Sequence, residues 1–195
     1  MDAPFMTSSS PFKLVISTVG KDRPGLVARM CEAISNAQGN IDDSTMTRLG
    51  GQFSMIYIVH FTRAEDLERF KEAIVEIKKE GLFHVDLCLL SAEDEPMLPE
   101  TQIAPKARKY LLSVGGYDRT GITYAFSKAL AGFGINITDL HAHRINGENG
   151  IVYMLAIEMD VPLTVNDNEM KTTLENLGQQ LNLDVRLRSM DAIIL

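Results

Sequence analysis

The sequence has no tryptophan, only two cysteines, no long apolar run and no surplus of positive charge. Each shortage removes a class of function. Cys31 and Cys88 lack metal-type spacing and are expected as reduced, partly buried thiols of a reducing compartment. Without an apolar stretch of about 20 residues there is no membrane-spanning helix to expect. A formal net charge of -7 disfavours a protein whose main task is to hold nucleic acid, because that grip depends on Lys and Arg neutralising phosphates. The first residues, 1–11, have neither a basic nor an apolar segment of a secretory signal and read as a flexible leader. A cytoplasmic location is the expectation, with organelle import left open.

Catalytic patterns are missing too. There is no nucleophile elbow, no Walker loop and no zinc-protease motif. No catalytic residue, resident cofactor or direct nucleic-acid contact is expected.

What the chain does have is a repeat. Lys13 to Gly25 reads KLVISTVGKDRPG, and 96 positions later Lys109 to Gly121 reads KYLLSVGGYDRTG. Lys13, Ser17, Gly20, Asp22, Arg23 and Gly25 recur as Lys109, Ser113, Gly116, Asp118, Arg119 and Gly121. Each copy is a short β-type run, a polar turn and the start of a helix. Leu26, Met30, Ala33, Ile34 and Ala37 then recur at helical spacing, as do Ile122, Phe126, Ala129, Leu130 and Phe133. Pro24 fits a first helical turn, and Asp22 lies where a capping side chain would go. Gln38-Gly39-Asn40 ends the first helix, and Gly50-Gly51 marks a hairpin between strands expected over 41–49 and 53–61. A helix over 64–80 and a strand over 83–90 complete the first copy.

The element order is β-α-β-β-α-β in both copies, the split βαβ or ferredoxin-like pattern. The expected class is α+β: two domains, each a four-stranded antiparallel sheet with both helices on one face. The first covers 12–91 and the second 109–195. Between them, 92–108 is acidic and contains prolines, as a linker would. The apolar tail 191–195 is expected to pack back or to cross to a partner. The third strand of each copy is apolar on both faces, yet two helices cover only one. The open faces or edges are therefore expected to be buried against each other or in a homo-oligomer.

Asp-Arg-Pro-Gly-Leu before Asn40-Ile41, and Asp-Arg-Thr-Gly-Ile before Asn136-Ile137, resemble the ACT domain, a regulatory module that binds small molecules. The two-domain layout is similar to the glycine cleavage system transcriptional repressor group, whose members act through protein partners. The resemblance implies ligand-binding positions at an interface between domains: Asp22, Arg23, Gly25, Leu26, Asn40 and Ile41, and Asp118, Arg119, Gly121, Ile122, Asn136 and Ile137. Chemistry permits it. A helix N-terminus suits a carboxylate, Gly25 lets a ligand approach the backbone, and Asn40, opening the strand expected beside the first, offers a donor and an acceptor. The turn reading is equally complete, since Asp-Arg-Pro-Gly is also a good helix start. The expected effector is glycine or another small amino acid, and the expected partner a transcription regulator or an enzyme.

Two alternatives stand beside this one. The chain can be a ligand-free protein–protein interaction module. Less favoured is a metal-responsive regulator, in which His141 and His143 share one face of a strand as a possible ligand pair.

Overall fold

A computed structural model describes residues 12–90, 107–147 and 150–190. The chain forms two compact units, one on either side of the stretch 91–106. The first contains β1 (Phe12–Lys21), α1 (Leu26–Asn36), β2 (Asn40–Leu49), β3 (Gln52–Phe61), α2 (Ala64–Lys79) and β4 (His84–Leu90). The second contains β5 (Ala107–Tyr117), α3 (Ile122–Gly132), β6 (Asn136–Gly147), β7 (Gly150–Pro162), α4 (Asp167–Leu181) and β8 (Leu183–Ser189). Both are α+β units of the ferredoxin-like type. The leader, most of the linker, the tail and Glu148-Asn149 of the second hairpin lie outside the described residues. Ala107 and Arg108, read from sequence as linker, are strand residues. Arg108 is held by donating to the carbonyl of Val165 (2.7 Å) and by an ion pair with Asp167.

Each sheet is fully antiparallel, with strand orders β2-β3-β1-β4 and β6-β7-β5-β8. This corrects one expectation: the second strand of each unit does not lie beside the first. The β3 strand stands between β1 and β2, so β2 is an edge that runs parallel to β1. The reason is the hairpin. Gly50 and Gly51, at φ 58 and 76, turn β2 back onto β3, and β3 then takes the centre with β1.

Alternation places one face of each sheet on the helices. In the first unit Leu14 and Ile16 of β1 and Tyr57, Val59 and Phe61 of β3 are buried against Met30, Ile34, Phe70, Ile74 and Ile77. Phe61 and Phe70 stack with ring centroids 5.2 Å apart. In the second unit Leu112, Ile157 and Met159 meet Phe126, Leu130, Met170 and Leu174. The other face is open. Ile56 on β3 is 43% exposed and Met154 on β7 is 51% exposed. The helices also leave β2 uncovered, and Met46 is 51% exposed although it points to the helix side. Cys31 is half-buried, but Cys88 on edge strand β4 is exposed, contrary to the expectation of two partly buried thiols.

One polar difference between the two cores is a tyrosine hydroxyl. Tyr153 shares a hydrogen bond of 2.6 Å with the Thr123 hydroxyl. Its counterpart Tyr57 is fully buried, Val27 stands where Thr123 would, and the Tyr57 hydroxyl has no partner among the described residues. Burial pushes the Tyr57 phenol up to about 12. An unpaired buried hydroxyl costs about 1–3 kcal/mol, and a satisfied one contributes about 1 kcal/mol. Tyr57→Phe is therefore expected to hold or raise stability in urea unfolding, while Tyr153→Phe lowers it by about 1 kcal/mol.

Candidate functional site

The loops that join β1 to α1 and β5 to α3 are built alike. Asp22 N–H donates to the Gly51 carbonyl (2.9 Å), and Asp118 N–H donates to the Ile151 carbonyl (2.8 Å). These bonds pin each loop to the far end of the neighbouring hairpin. Each helix then starts from a left-handed glycine, Gly25 at φ 93 and Gly121 at φ 92, and no side chain caps either helix. By contrast, α4 is capped by Asn166, whose side-chain oxygen accepts from Asn168 N–H (2.9 Å) and Glu169 N–H (3.2 Å). The first N–H groups of α1 and α3 thus lack the cap that α4 has.

Two details of the turn differ from expectation. Pro24 precedes the cap rather than entering the first helical turn, because Gly25 takes the left-handed position that ends the loop. Asp22 caps nothing. Its carboxylate pairs with Arg48 at the end of β2 (3.0 Å), and Asp118 pairs with Arg144 at the same place on β6 (2.8 Å). Both arginines were missed from sequence, although Arg48 and Arg144 are 96 positions apart like the other repeated residues. The pairing leaves Asp22 and Asp118 as poor partners for an ammonium group.

Arg23 and Arg119 are exposed and have no hydrogen bond or ion pair among the described residues. In the first unit Arg23, Gly25 and Val27 line a cavity of about 380 Å³ together with Met46, Arg48 and the buried Phe53. Asp22 and Leu26 line it as well. Two guanidinium groups, a glycine without a Cβ and an uncapped helix start thus meet around a small apolar floor. That combination suits a carboxylate on a small body.

The asparagines lie elsewhere. Asn40 pairs with His60, which pairs with Lys13 at the start of β1. Asn136 pairs with Asp160, which pairs with Lys109 near the start of β5. Within one unit each asparagine is therefore roughly 25–30 Å from its loop, at about 3.3 Å per strand residue. Ile41 and Ile137 pack on the cores. The structure brings Asp22, Arg23, Gly25 and Leu26 together, and likewise Asp118, Arg119, Gly121 and Ile122, but leaves Asn40, Ile41, Asn136 and Ile137 at the opposite end of the sheet.

His141 and His143 do share a face, the open face of the second sheet, where Thr45 and Thr47 stand in the first. His141 Nε2 lies 3.0 Å from the Asp139 carboxylate. No group of three metal-type ligands exists among the described residues.

The family model described as ACT domain matches residues 13–86 and 109–188. The glycine cleavage system transcriptional repressor of Escherichia coli (strain K12) is 41% identical over 54 residues, which are 28% of this chain and 28% of that protein. The chain thus spans about a quarter of that relative's length. The UPF0237 protein SMU_72 of Streptococcus mutans is 37% identical over 60 residues, 31% of this chain and 68% of that protein. A crystal structure of a Galdieria sulphuraria protein of unknown function superposes with a TM-score of 0.73 at 24% identity, covering 93% of this chain and 99% of the other. One provisionally assigned as a glycine cleavage system transcriptional repressor gives 0.68 at 21% identity, with the same coverage. At these identities the two structures speak to the fold alone.

Proposed function

Since the chain belongs to the ACT domain family, in both of its units, we propose that it is a non-enzymatic regulatory protein whose β1–α1 and β5–α3 loops bind a small amino acid. The observation that carries the reading is the repeated loop itself: an uncapped helix start behind a left-handed glycine, with an unpaired arginine beside it. A turn needs the glycine but not Arg23 or Arg119. The ligand carboxylate takes the helix N–H groups and the guanidinium. A helix N-terminus contributes about 0.3–1 kcal/mol and a charge-assisted hydrogen bond about 1.5–3 kcal/mol. Together they approach the roughly 4 kcal/mol of a millimolar dissociation constant.

The ammonium needs an acceptor that Asp22 does not supply. Asn40 supplies one only from a second copy of the chain. Two exposed β2 edges from two copies, laid antiparallel, would bring the asparagine end of one to the loop end of the other. The bare β2 edge and exposed Met46 support such a pairing. Ligand at that junction shifts how the copies pack, and a protein partner reads the shift. An effector acts only through unequal affinity for the two arrangements. The relatives named as glycine cleavage repressors make glycine the first effector to try. The exposed apolar sheet faces favour a second reading, in which the chain is an interaction module with purely structural loops.

Calorimetric titration of the full chain with the twenty amino acids separates the readings. We expect saturable heat from glycine or a close analogue, weakened about tenfold by Arg23→Ala or Arg119→Ala, the size of one lost charge-assisted bond. Absence of heat from every amino acid leaves the interaction module standing.

A further inference from the structure

Each unit carries a cleft between the end of its first strand and the turn that leads from its second helix into its last strand. The two clefts are close in size, about 860 Å³ in the first unit and about 770 Å³ in the second. Their charges differ. Lys21, Arg23, Lys78 and His84 line the first. In the second, Tyr117 stands for Lys21, Gln179 for Lys78 and Asp184 for His84. The last pair is fixed by register, since His84 opposes Val19 and Asp184 opposes Gly115. The shared fold therefore does not require Lys21, Lys78 or His84, whereas Arg23 recurs as Arg119.

The side chains of Lys21, Arg23 and Lys78 have no hydrogen bond or ion pair among the described residues. Asp22 is the one acid that lines the cleft, and Arg48 already holds its carboxylate. Lys78 sits in the last turn of α2, where a cation complements the helix end. No such reason accounts for Lys21, and Arg23 lines both this cleft and the loop cavity. Three cations whose side chains have no partner among the described residues line one cleft of a chain whose net charge is -7. Like charges gathered around one concavity repel each other and attract a multivalent anion.

We infer that this cleft binds a phosphate-bearing small molecule. Lysine ammonium groups hold phosphate oxygens as point charges and Arg23 adds a forked donor. The exposed side of Val19 and the half-buried Leu82 provide an apolar wall for the organic body of the ligand. The volume lies in the ordinary range for small-molecule sites, roughly 300–1,000 Å³.

The test titrates the full chain with inorganic pyrophosphate, and in parallel with citrate, at physiological ionic strength. Pyrophosphate is expected to bind saturably at one site per chain. Lys21→Ala and Lys78→Ala should each weaken it about tenfold, as loss of one charge-assisted contact does, while Gln179→Ala in the second cleft leaves it unchanged. Circular dichroism confirms that the variants are folded. Neither lysine lines the loop cavity, so amino-acid binding stays intact in both variants, and failure of one site is read separately from failure of the other. Absence of saturable heat, undiminished binding in the Lys21→Ala/Lys78→Ala double variant, or tighter binding of citrate than of pyrophosphate would each overturn the assignment.

Discussion

Replacing Phe70 with alanine is expected to destabilise the first unit by about 3–5 kcal/mol while the second keeps its stability. Phe70 is fully buried on α2 and stacks on Phe61 of β3, so its ring joins helix to sheet. Removing a buried phenylalanine costs about 3–5 kcal/mol, the lost transfer energy plus the cavity left behind. A unit of about 80 residues has roughly 4–12 kcal/mol in total. The variant therefore loses between about a quarter and all of that unit's stability. The second unit has its own core, with Phe126, Leu130, Met170 and Leu174 fully buried. Phe126→Ala should do the reverse. Urea unfolding followed by circular dichroism should show half of the native signal lost early in each variant. Pyrophosphate binding should be lost together with the early half of the signal in Phe70→Ala, because every residue of that cleft is in the first unit. Simultaneous loss of both units in either variant would show that the cores are not independent.

The fold was legible because its signals were redundant. Period-2 alternation in β8, where Leu183, Val185 and Leu187 alternate with Asp184, Arg186 and Arg188, and period-3.6 stripes in α1 and α3 point to the same layered arrangement, and the repeat states the helix stripe twice. The comparison of the copies also explains what was missed. Arg48 and Arg144 carry a repeat signal as strong as that of Asp22 and Asp118, but they sit on an edge strand among polar residues, where an arginine normally signifies only solvent exposure. Strand order is a tertiary fact: the hairpin at Gly50-Gly51 pairs β2 with β3, and nothing local places β3 rather than β2 next to β1. The misplacement of Asn40 follows from strand direction: α1 carries the chain back, so β2 starts at the end of the sheet where β1 starts. Asp22 was read as a cap because a carboxylate before a helix usually is one. Here the left-handed Gly25 intervenes, and the carboxylate turns to a cation on another strand instead. The charge of the first cleft is invisible along the chain, since Lys21, Lys78 and His84 come from three separate elements.

Valine at Gly25 and at Gly121 should abolish amino-acid binding without unfolding the chain. A Cβ added at either position meets no atom within 4 Å, so nothing in the protein is displaced. The cost lies in the backbone. Both residues sit near φ 93, where an L side chain is disfavoured by about 1–2 kcal/mol. Each unit withstands that loss. The branched side chain then projects where a ligand must approach the helix N–H groups, and it is β-branched, so it cannot swing clear. Gly25→Val alone should remove the sites that use the first loop, and Gly121→Val those that use the second. The double variant should give no heat with any amino acid. Gly134→Val separates backbone strain from blocked access. Gly134 has φ 68 and equally open space around it, but it follows α3 at the end remote from the loop. It should lower stability by a similar amount and leave the affinity unchanged. Equal loss of binding in Gly134→Val would mean that strain alone disables the site. Undiminished binding in the Gly25→Val/Gly121→Val double variant would return both loops to the role of turns.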